Sequence, residues 1–312
     1  MSAPRVAVLG IFVADTTYRA DRAPRMGETV MGKSFALGPG GKGSNQAVAA
    51  ARLGGDVTMI TRLGDDDFAD LAERVWADAG VRPAATRDPQ SYTGSACILV
   101  DDGTGDNAIV VAPGAAGEIG PADVEADADV IRGASVFVTQ LEQPLDAARR
   151  GLAIAREAGV TTILNPAPAA ELDDELIGIC DWITPNESEA EALTGIEVHD
   201  EDGAWRAAEA LMARGAVGAV VTLGERGALL AHGGDATLVP AHRAGPVVET
   251  TGAGDAFNGG FAVGLAEGLS PHDAVRLGCA TAGLSVTVGG AAASMPHRTE
   301  VDALLRGAGE GR

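Results

Sequence analysis

Short apolar runs of strand length recur along the chain, and longer amphipathic segments separate them. The apolar runs lie at residues 5–10, 56–62, 135–139, 160–164, 182–184 and 219–223. Segments with helical periodicity lie at 46–53, 67–78, 145–158, 187–193, 203–214, 256–267, 271–288 and 299–305. This alternation predicts an α/β fold, in which helices flank both faces of a central, mostly parallel sheet.

Two stretches do not follow this alternation. Residues 11–37 mix polar residues, Pro24 and Gly27 with short alternating segments, which indicates β-structure outside the main sheet. Residues 92–100 and 107–112 are strand-like and are joined by the turn-forming sequence DDGTGD, so they predict a hairpin. We therefore expect a single α/β domain over residues 1–312, with a small β-sheet lid formed by approximately 11–37 and 92–112.

Charge and cysteine content narrow the class of protein. The 312 residues carry a formal net charge of −21, which argues against a nucleic-acid or anionic-membrane partner. Cys97, Cys180 and Cys279 are far apart and have no metal-binding spacing, which is typical of reduced thiols in the cytoplasm. The sequence has no apolar signal segment and no uncharged stretch of membrane-spanning length, so we expect a cytoplasmic protein.

The most informative stretch is ETTGAGDAFNGG, residues 249–260. A strand-like run at 246–248 precedes it and a helix of small residues follows it. Thr251, Gly252, Ala253 and Gly254 leave backbone N–H groups unobstructed where the helix begins, which is a common anion site. Asp255 enters the first helical turn, where a carboxylate can accept the proton of a hydroxyl that attacks a phosphoryl group. Taken alone, the stretch fits a purely structural role, as a tight turn with an Asp helix cap, as well as it fits an anion site.

A second glycine-rich stretch, GPGGKGSN, spans residues 38–45. It matches the pattern GxGxxG, but it lies about thirty residues after the first strand, so a dinucleotide site is not expected. A phosphate-binding P-loop is also excluded, because residue 36 is Ala and Lys42 is followed by Gly43. The alternatives left are a structural turn and a loop whose Lys42 and Asn45 donate to a polar small molecule.

Four further features are ambiguous by themselves. Asp15 follows the first strand, and Glu142 follows the strand at 135–139, where ligands gather in open α/β sheets. Asn186 precedes a helix and is most simply a cap. The glycines of TLGERG, residues 222–227, fit either a β-turn or a backbone surface for a nucleotide.

Together these residues resemble the ribokinase-like carbohydrate kinase family over essentially the whole chain. The matching pieces are GGKGSNQA (40–47), QLE (140–142), NPAPA (165–169), TPNE (184–187), TLG (222–224) and TGAGDAFNG (251–259). The first and last are the two signature regions of the family, and their joint occurrence in this order is highly specific.

The resemblance implies ATP-dependent phosphoryl transfer to the primary hydroxyl of a sugar. Asp255 is then the catalytic base, and the N–H groups of Gly252, Ala253 and Gly254 form the anion hole. The implied sugar-binding positions are Val13, Asp15, Gly41, Lys42, Asn45, Glu142 and Asp255. The implied ATP-binding positions are Asn186, Thr222, Gly224, Gly227, Gly254 and Cys279. Mg²⁺ is expected to accompany ATP, and the lid is expected to exclude water.

The resemblance also implies an activating monovalent cation, K⁺, and a homodimer formed through the lid. The implied cation positions are Glu249, Thr251, Ser285, Val288, Gly290 and Ser294.

Two residues depart from the family pattern. Many members carry Asn where this chain has Val13, which replaces a hydrogen-bonding group of the sugar pocket by an apolar one. Glu249 stands where Asp is usual, and its extra methylene displaces the carboxylate at the cation site. We expect D-ribose, phosphorylated at its 5-hydroxyl, to be the substrate. The alternatives are 2-deoxyribose, another pentose or a nucleoside, and a non-catalytic sugar-binding protein on the same scaffold.

Overall fold

The computed structural model describes residues 3–307. Its strands are β1 (Arg5–Leu9), β2 (Val13–Ala20), β3 (Ser34–Gly40), β4 (Asp56–Gly64), β5 (Arg82–Asp88), β6 (Thr93–Asp101), β7 (Asn107–Gly114), β8 (Val136–Thr139), β9 (Thr161–Leu164), β10 (Trp182–Ile183), β11 (Gly218–Thr222), β12 (Ala228–His232) and β13 (Asp235–Val239). Its α-helices are α1 (Lys42–Arg52), α2 (Asp67–Ala79), α3 (Pro121–Ala126), α4 (Ala128–Arg132), α5 (Leu145–Glu157), α6 (Asp174–Gly178), α7 (Glu187–Thr194), α8 (Glu201–Ala213), α9 (Ala253–Ala266), α10 (Pro271–Ser285) and α11 (Arg298–Gly307).

The main sheet has nine strands in the order β13-β12-β11-β10-β9-β8-β1-β4-β5. The seven strands from β11 to β5 in this order are parallel, and β12 and β13 extend one edge in antiparallel pairing. The predicted mostly parallel sheet is therefore confirmed.

Helices cover both faces of this sheet, because alternate residues of each buried strand point to opposite sides. In β1, Val6 and Val8 belong to one core cluster, which includes Trp76 of α2 and Phe261 of α9. Ala7 and Leu9 of the same strand belong to the other cluster, which includes Leu152 of α5 and Leu211 of α8. The sheet is thus the middle layer of three.

A separate four-stranded sheet, in the order β3-β2-β6-β7, forms the small β-structure that the sequence predicts. Two of its strands come from the first atypical stretch and two from the second. The hairpin β6–β7 turns at residues 102–106, and β2 joins it by parallel pairing with β6.

The predicted strand at 246–248 was wrong. The backbone N–H groups of Val248 and Glu249 both donate to the carbonyl oxygen of Val286, beyond the end of α10, rather than to a neighbouring strand. Val247 and Val248 are each 65% exposed, so the apolar run does not enter the core. An apolar pattern without a pairing partner does not make a strand.

Element boundaries also differ. Helices α1 and α9 begin at Lys42 and Ala253, several residues before the predicted starts, because glycines in their first turns conceal the helical pattern. Strand β5 was missed because its sequence, RPAATRD, is largely polar. Within residues 3–307, no helix has both the length and the apolar character needed to cross a membrane.

Candidate active site

A cavity of about 160 Å³ brings together residues from distant parts of the chain. It is lined by Lys42, Asn165, Ala167, Thr184, Asn186, Glu189, Thr222, Gly252, Gly254, Asp255 and Asn258. Six of these were predicted from the sequence as substrate, nucleotide or catalytic positions. A wider depression of about 450 Å³ lies at the amino ends of β9, β10 and β11, where the charged groups of Arg156 and Asp181 pair with each other. None of the predicted site residues lines that depression.

Asp255 lies in the first turn of α9 and is only 7% exposed. Its Oδ2 accepts a hydrogen bond from Asn45 Nδ2 at 2.9 Å, and its Oδ1 accepts one from Gln46 Nε2 at 3.0 Å. Burial raises the pKa of this carboxyl group, whereas the positive charge of Lys42 and the two amide donors lower it. The carboxylate is therefore held in position by two side chains of α1, and Asp255 lines the cavity.

The start of α9 carries the predicted anion hole. Gly252 is the N-cap residue with φ of 80°, a left-handed conformation that suits glycine. Gly252 and Gly254 line the cavity, and a side chain at Gly254 would meet nothing within 4 Å, so the backbone there is open. The N–H of Ala253 donates to the carbonyl of Thr250 at 3.1 Å, so this one of the three amides is already engaged.

The glycine-rich loop and the end of β8 meet at the predicted sugar positions. Glu142 Oε2 accepts a hydrogen bond from the backbone N–H of Lys42 at 2.7 Å. Gly41, with φ of 89°, lies against the backbone of Ile11 and Phe12, where a Cβ would collide. Burial raises the pKa of Glu142 to about 7 and that of Asp15 to about 6.

Val13 and Asp15 lie two residues apart on β2, so their side chains point to the same face of the small sheet. Val13 is 4% exposed and packs in the core cluster that includes Ala96. The carboxylate of Asp15 lies over Gly40, where an added Cβ would clash with all three of its carboxyl atoms. Strand β2 thus presents one apolar and one acidic side chain near the glycine-rich loop.

The predicted nucleotide positions lie in three places: the cavity wall, a tight turn and the core. Asn186 caps α7 and forms an isolated parallel bridge with Thr222, so both line the same wall of the cavity. Gly224 and Gly227 have φ of 55° and 110° and close a tight turn in which Leu223 N–H donates to the Gly227 carbonyl. Cys279 does not line the cavity: it is 5% exposed within the core, and burial raises its pKa to about 12.

The predicted cation positions lie around the loop that follows α10. The carboxylate of Glu249 accepts a hydrogen bond from Gly290 N–H at 2.8 Å, which joins two of the six positions directly. The hydroxyls of Ser285 and Ser294 are buried and donate to the carbonyls of Ala282 and Ala291. Thr251 and Val288 are exposed. Residues 3–307 contain no cluster of three or more His, Cys, Asp or Glu side chains suited to a metal ion.

Four polar cavity residues were not predicted individually: Asn165, Thr184, Glu189 and Asn258. Glu189 completes a capping box with Asn186, and the spacing N-x-x-E is a signal that was available in the sequence. Asn258 lies one turn after Gly254 on α9 and donates to its carbonyl at 2.8 Å. Asn165 and Thr184 begin the segments NPAPA and TPNE, which carried the resemblance without assigning these side chains a role.

The family model for pfkB family carbohydrate kinases matches residues 3–298. Ribokinase of Haemophilus influenzae is 38% identical over 95% of this chain and 96% of its own. Deoxyribokinase of Salmonella typhi is 36% identical over 93% of this chain and 95% of its own.

A structure of Arabidopsis thaliana ribokinase complexed with ribose and ATP superposes with a TM-score of 0.91 at 31% identity. It covers 98% of this chain and 99% of its own. The fold expected from the resemblance is therefore confirmed, and the chain belongs to the pfkB family of carbohydrate kinases.

Proposed function

We propose that this protein is a ribokinase, which transfers the γ-phosphoryl group of ATP to the 5-hydroxyl of D-ribose. One observation carries the proposal: the buried carboxylate of Asp255 sits at the start of α9, in a cavity shared by Lys42 and the Asn186–Thr222 wall. Relatives named ribokinase, with more than nine-tenths of both chains aligned, support the choice of ribose.

Asp255 accepts the proton of the 5-hydroxyl as the hydroxyl oxygen forms a bond to the γ-phosphorus. The bond between that phosphorus and the oxygen bridging to the β-phosphate breaks at the same time, and its electron pair leaves with ADP. The open N–H groups at the start of α9 and the ammonium of Lys42 lie beside Asp255. There they stabilise the negative charge of the phosphoryl group in the transition state. Asn45 of α1 and Glu142, which follows β8, orient the sugar.

The polar composition of the cavity suits a nucleotide whose charge is carried partly by a divalent ion. Mg²⁺ supplies electrostatic neutralisation of the phosphate oxygens when it is bound with ATP. Glu189 and Asp255 offer carboxylate oxygens in that cavity, and Asn186 offers an amide. The ion is proposed to be held mostly by phosphate and water.

A monovalent cation, K⁺, is proposed to bind near Glu249, Thr251, Ser285, Val288, Gly290 and Ser294. The Glu249–Gly290 contact supports it, since this loop adjoins Gly252, where a Cβ would lie 3.1 Å from Ala291 Cα. Ordering of the loop by K⁺ would steady the start of α9. Glu249 in place of Asp is proposed to alter the K⁺ dependence, because its side chain is longer by one methylene and one of its carboxylate oxygens already accepts the Gly290 N–H.

The small sheet is proposed to be a lid that closes over the sugar and pairs with a second copy. Pairing in the sheet puts Tyr18, Phe35, Leu37 and Val110 on the face opposite to Asp15, and we call these four residues the outer lid face. Val110 is 70% and Phe35 57% exposed, which is unusual for apolar side chains on one face. A homodimer that covers this face is the proposed assembly.

The three free thiols favour a cytoplasmic location for the protein.

A substrate panel tests the proposed function. ADP release from Mg-ATP is measured with D-ribose, 2-deoxyribose, other pentoses, hexoses and nucleosides, each in K⁺ and in Na⁺. The highest kcat/KM with ribose, and stimulation by K⁺, are expected. A faster reaction with 2-deoxyribose would identify the second candidate, which the apolar Val13 and the similarity to deoxyribokinase favour. Turnover with none of these acceptors would contradict kinase function.

A further inference from the structure

Gln46 is buried, at 1% exposure, and it contacts the carboxylate that the proposed mechanism uses. Its Nε2 donates to Asp255 Oδ1 and to Asn165 Oδ1, at 3.0 Å in both cases. Its Oε1 accepts a hydrogen bond from Gln140 Nε2 at 2.6 Å. Gln46 does not line the cavity, so substrate does not contact it directly.

The hydrogen bonds continue from Gln46 into a closed ring. Asn165 Nδ2 donates to the backbone carbonyl of Thr184 at 3.0 Å, and Thr184 Oγ1 donates to Asn258 Oδ1 at 2.7 Å. Asn258 Nδ2 donates to the carbonyl of Gly254, whose peptide bond leads to Asp255. The ring therefore begins and ends at Asp255 and crosses the ends of β9 and β10.

The direction of every bond in this ring is determined. A backbone carbonyl only accepts, so the Thr184 carbonyl requires Asn165 to present its NH₂ there and its oxygen to Gln46. Gln140 presents its NH₂ to Gln46 Oε1, which leaves the NH₂ of Gln46 facing Asp255. A flipped Gln46 amide would place an oxygen against the Asp255 carboxylate and against Asn165 Oδ1, both of which are acceptors.

The surrounding backbone is shaped to admit the Gln140 side chain. Gly10 directly follows β1 and Gly43 lies in the first turn of α1, and a Cβ on Gly10 would lie 2.8 Å from Gly43 Cα. A Cβ on Gly43 would also lie 2.9 Å from Gln140 Oε1. The two glycines therefore let β1 and α1 approach closely around the amide that orients Gln46.

We infer that Gln46 is a positioning residue for phosphoryl transfer, which holds the Asp255 carboxylate in its reactive orientation through this directional ring. The inference rests on the proposed function, because it assigns Gln46 a role through the catalytic base. The Nε2 donor also stabilises the ionised carboxylate, as the donor from Asn45 does.

Gln46→Leu tests the inference, since leucine fills a similar volume without either polar group. We expect kcat with ribose to fall about tenfold or more, because a general base contributes roughly 10²- to 10⁴-fold and loses part of this when misoriented. KM for both substrates is expected to change less than about threefold. Gln143→Leu is the matched control: Gln143 is also buried, at 4% exposure, and donates to Thr139 and Gln140 without contacting Asp255.

The pH profile separates positioning from a general structural effect. The charged groups that act on Asp255 are Lys42 of α1, Glu142 after β8 and Glu189 of α7, and all three remain in the variant. Loss of one donor to the ionised form raises the pKa of Asp255, so the acid limb of kcat should move to higher pH. Gln143→Leu should leave that limb where the wild type has it.

A double-mutant cycle with Asp255→Asn isolates the interaction. If Gln46 acts through Asp255, Gln46→Leu should change the residual turnover of Asp255→Asn by less than about twofold. Equal fold-losses in the wild-type and Asp255→Asn backgrounds would overturn the inference, as would unchanged kcat and pH profile in Gln46→Leu. Should the leucine variant not fold, Gln46→Met, with an unbranched side chain of the same length, is measured in its place.

The experiment also distinguishes this inference from the proposed function. Absence of ribose phosphorylation by the wild type would contradict the proposed function. A fully active wild type with a fully active Gln46→Leu variant would contradict only the role of Gln46.

Discussion

Glu142 accepts a hydrogen bond from the backbone N–H of Lys42, with 2.7 Å between Oε2 and N, and this contact joins the end of β8 to the start of α1. Desolvation raises the pKa of the Glu142 carboxyl from its ordinary 4.5 to about 7, against the opposing effects of the Lys42 charge and the hydrogen bond. The carboxyl group that we propose contacts the sugar is therefore held in an environment that disfavours its charge.

Replacement of Glu142 by Gln should change the pH dependence of stability. A folded-state pKa above the unfolded one stabilises the fold below about pH 4.5, and this stabilisation is lost as the pH rises through about 7. The loss amounts to about 3 kcal/mol at 1.36 kcal/mol per pH unit. Between these pH values, the unfolding free energy of Glu142→Gln should therefore rise relative to the wild type by that order.

Urea unfolding of the sugar-free protein at a series of pH values measures this difference. Glu157→Gln makes the same change at the end of α5, on a side chain that is 67% exposed, and serves as the control. Parallel profiles of unfolding free energy against pH for the wild type and Glu142→Gln would contradict a raised pKa of the Glu142 carboxyl group.

Two glycines that flank α9 offer a matched test of the anion hole. Gly252 and Gly268 have φ of 80° and 79°, so alanine at either is strained by about 1–2 kcal/mol. At Gly252 the new Cβ would also lie 3.1 Å from Ala291, whereas at Gly268 it meets nothing within 4 Å. Gly252→Ala should therefore lower both stability and kcat, and Gly268→Ala should lower stability alone.

Thermal unfolding and steady-state kinetics on the two variants give the comparison. Equal kcat in Gly252→Ala and Gly268→Ala would show that the exact backbone position at the start of α9 is unimportant for turnover.

The side chain at position 13 should control sugar selectivity. Val13 is buried on β2 and offers a sugar no hydrogen bond, whereas Asn would supply both a donor and an acceptor. Val13→Asn is expected to raise the ratio of kcat/KM for ribose over 2-deoxyribose by about tenfold. Measuring both sugars on one preparation makes the ratio independent of the active fraction, and an unchanged ratio would place the discriminating contact elsewhere.

The outer lid face should set the oligomeric state. A charged side chain in place of the 70% exposed Val110 would be buried without a partner in a dimer formed through this face. Val110→Asp should therefore be monomeric by sedimentation velocity at concentrations where the wild type is dimeric. Val217→Asp changes another exposed valine, ahead of β11 on the main domain, and should leave the dimer intact. A monomeric wild type, or a dimeric Val110→Asp, would contradict this assembly.

The sequence predicted most of the parallel strands and their flanking helices, because buried strands and amphipathic helices leave strong local patterns. Six of the eleven residues that line the cavity were named in advance, several of them only through the family resemblance. The segment 246–248 shows the limit: its apolar residues match a strand, but hydrogen bonds to Val286 hold it on the surface instead. The family resemblance placed Cys279 along the nucleotide, and its side chain lies in the core; a place beside ATP stays a prediction for this residue.

Gln46 was inconspicuous for a different reason. Its role depends on side chains from residues 140, 165 and 255, which only the folded chain brings together. No spacing along the sequence records such a ring, although the residue lies within a stretch that carried the family resemblance.

The most direct test of the proposed function compares ADP release with ribose in the wild type and in Asp255→Asn, alongside Asp273→Asn in the first turn of α10 as control. Ribose 5-phosphate is expected from the wild type and from the control. Asp255→Asn should retain ribose binding and lose roughly two or more orders of magnitude in kcat. Near-normal turnover by Asp255→Asn would contradict the assignment of the base on which the mechanism rests.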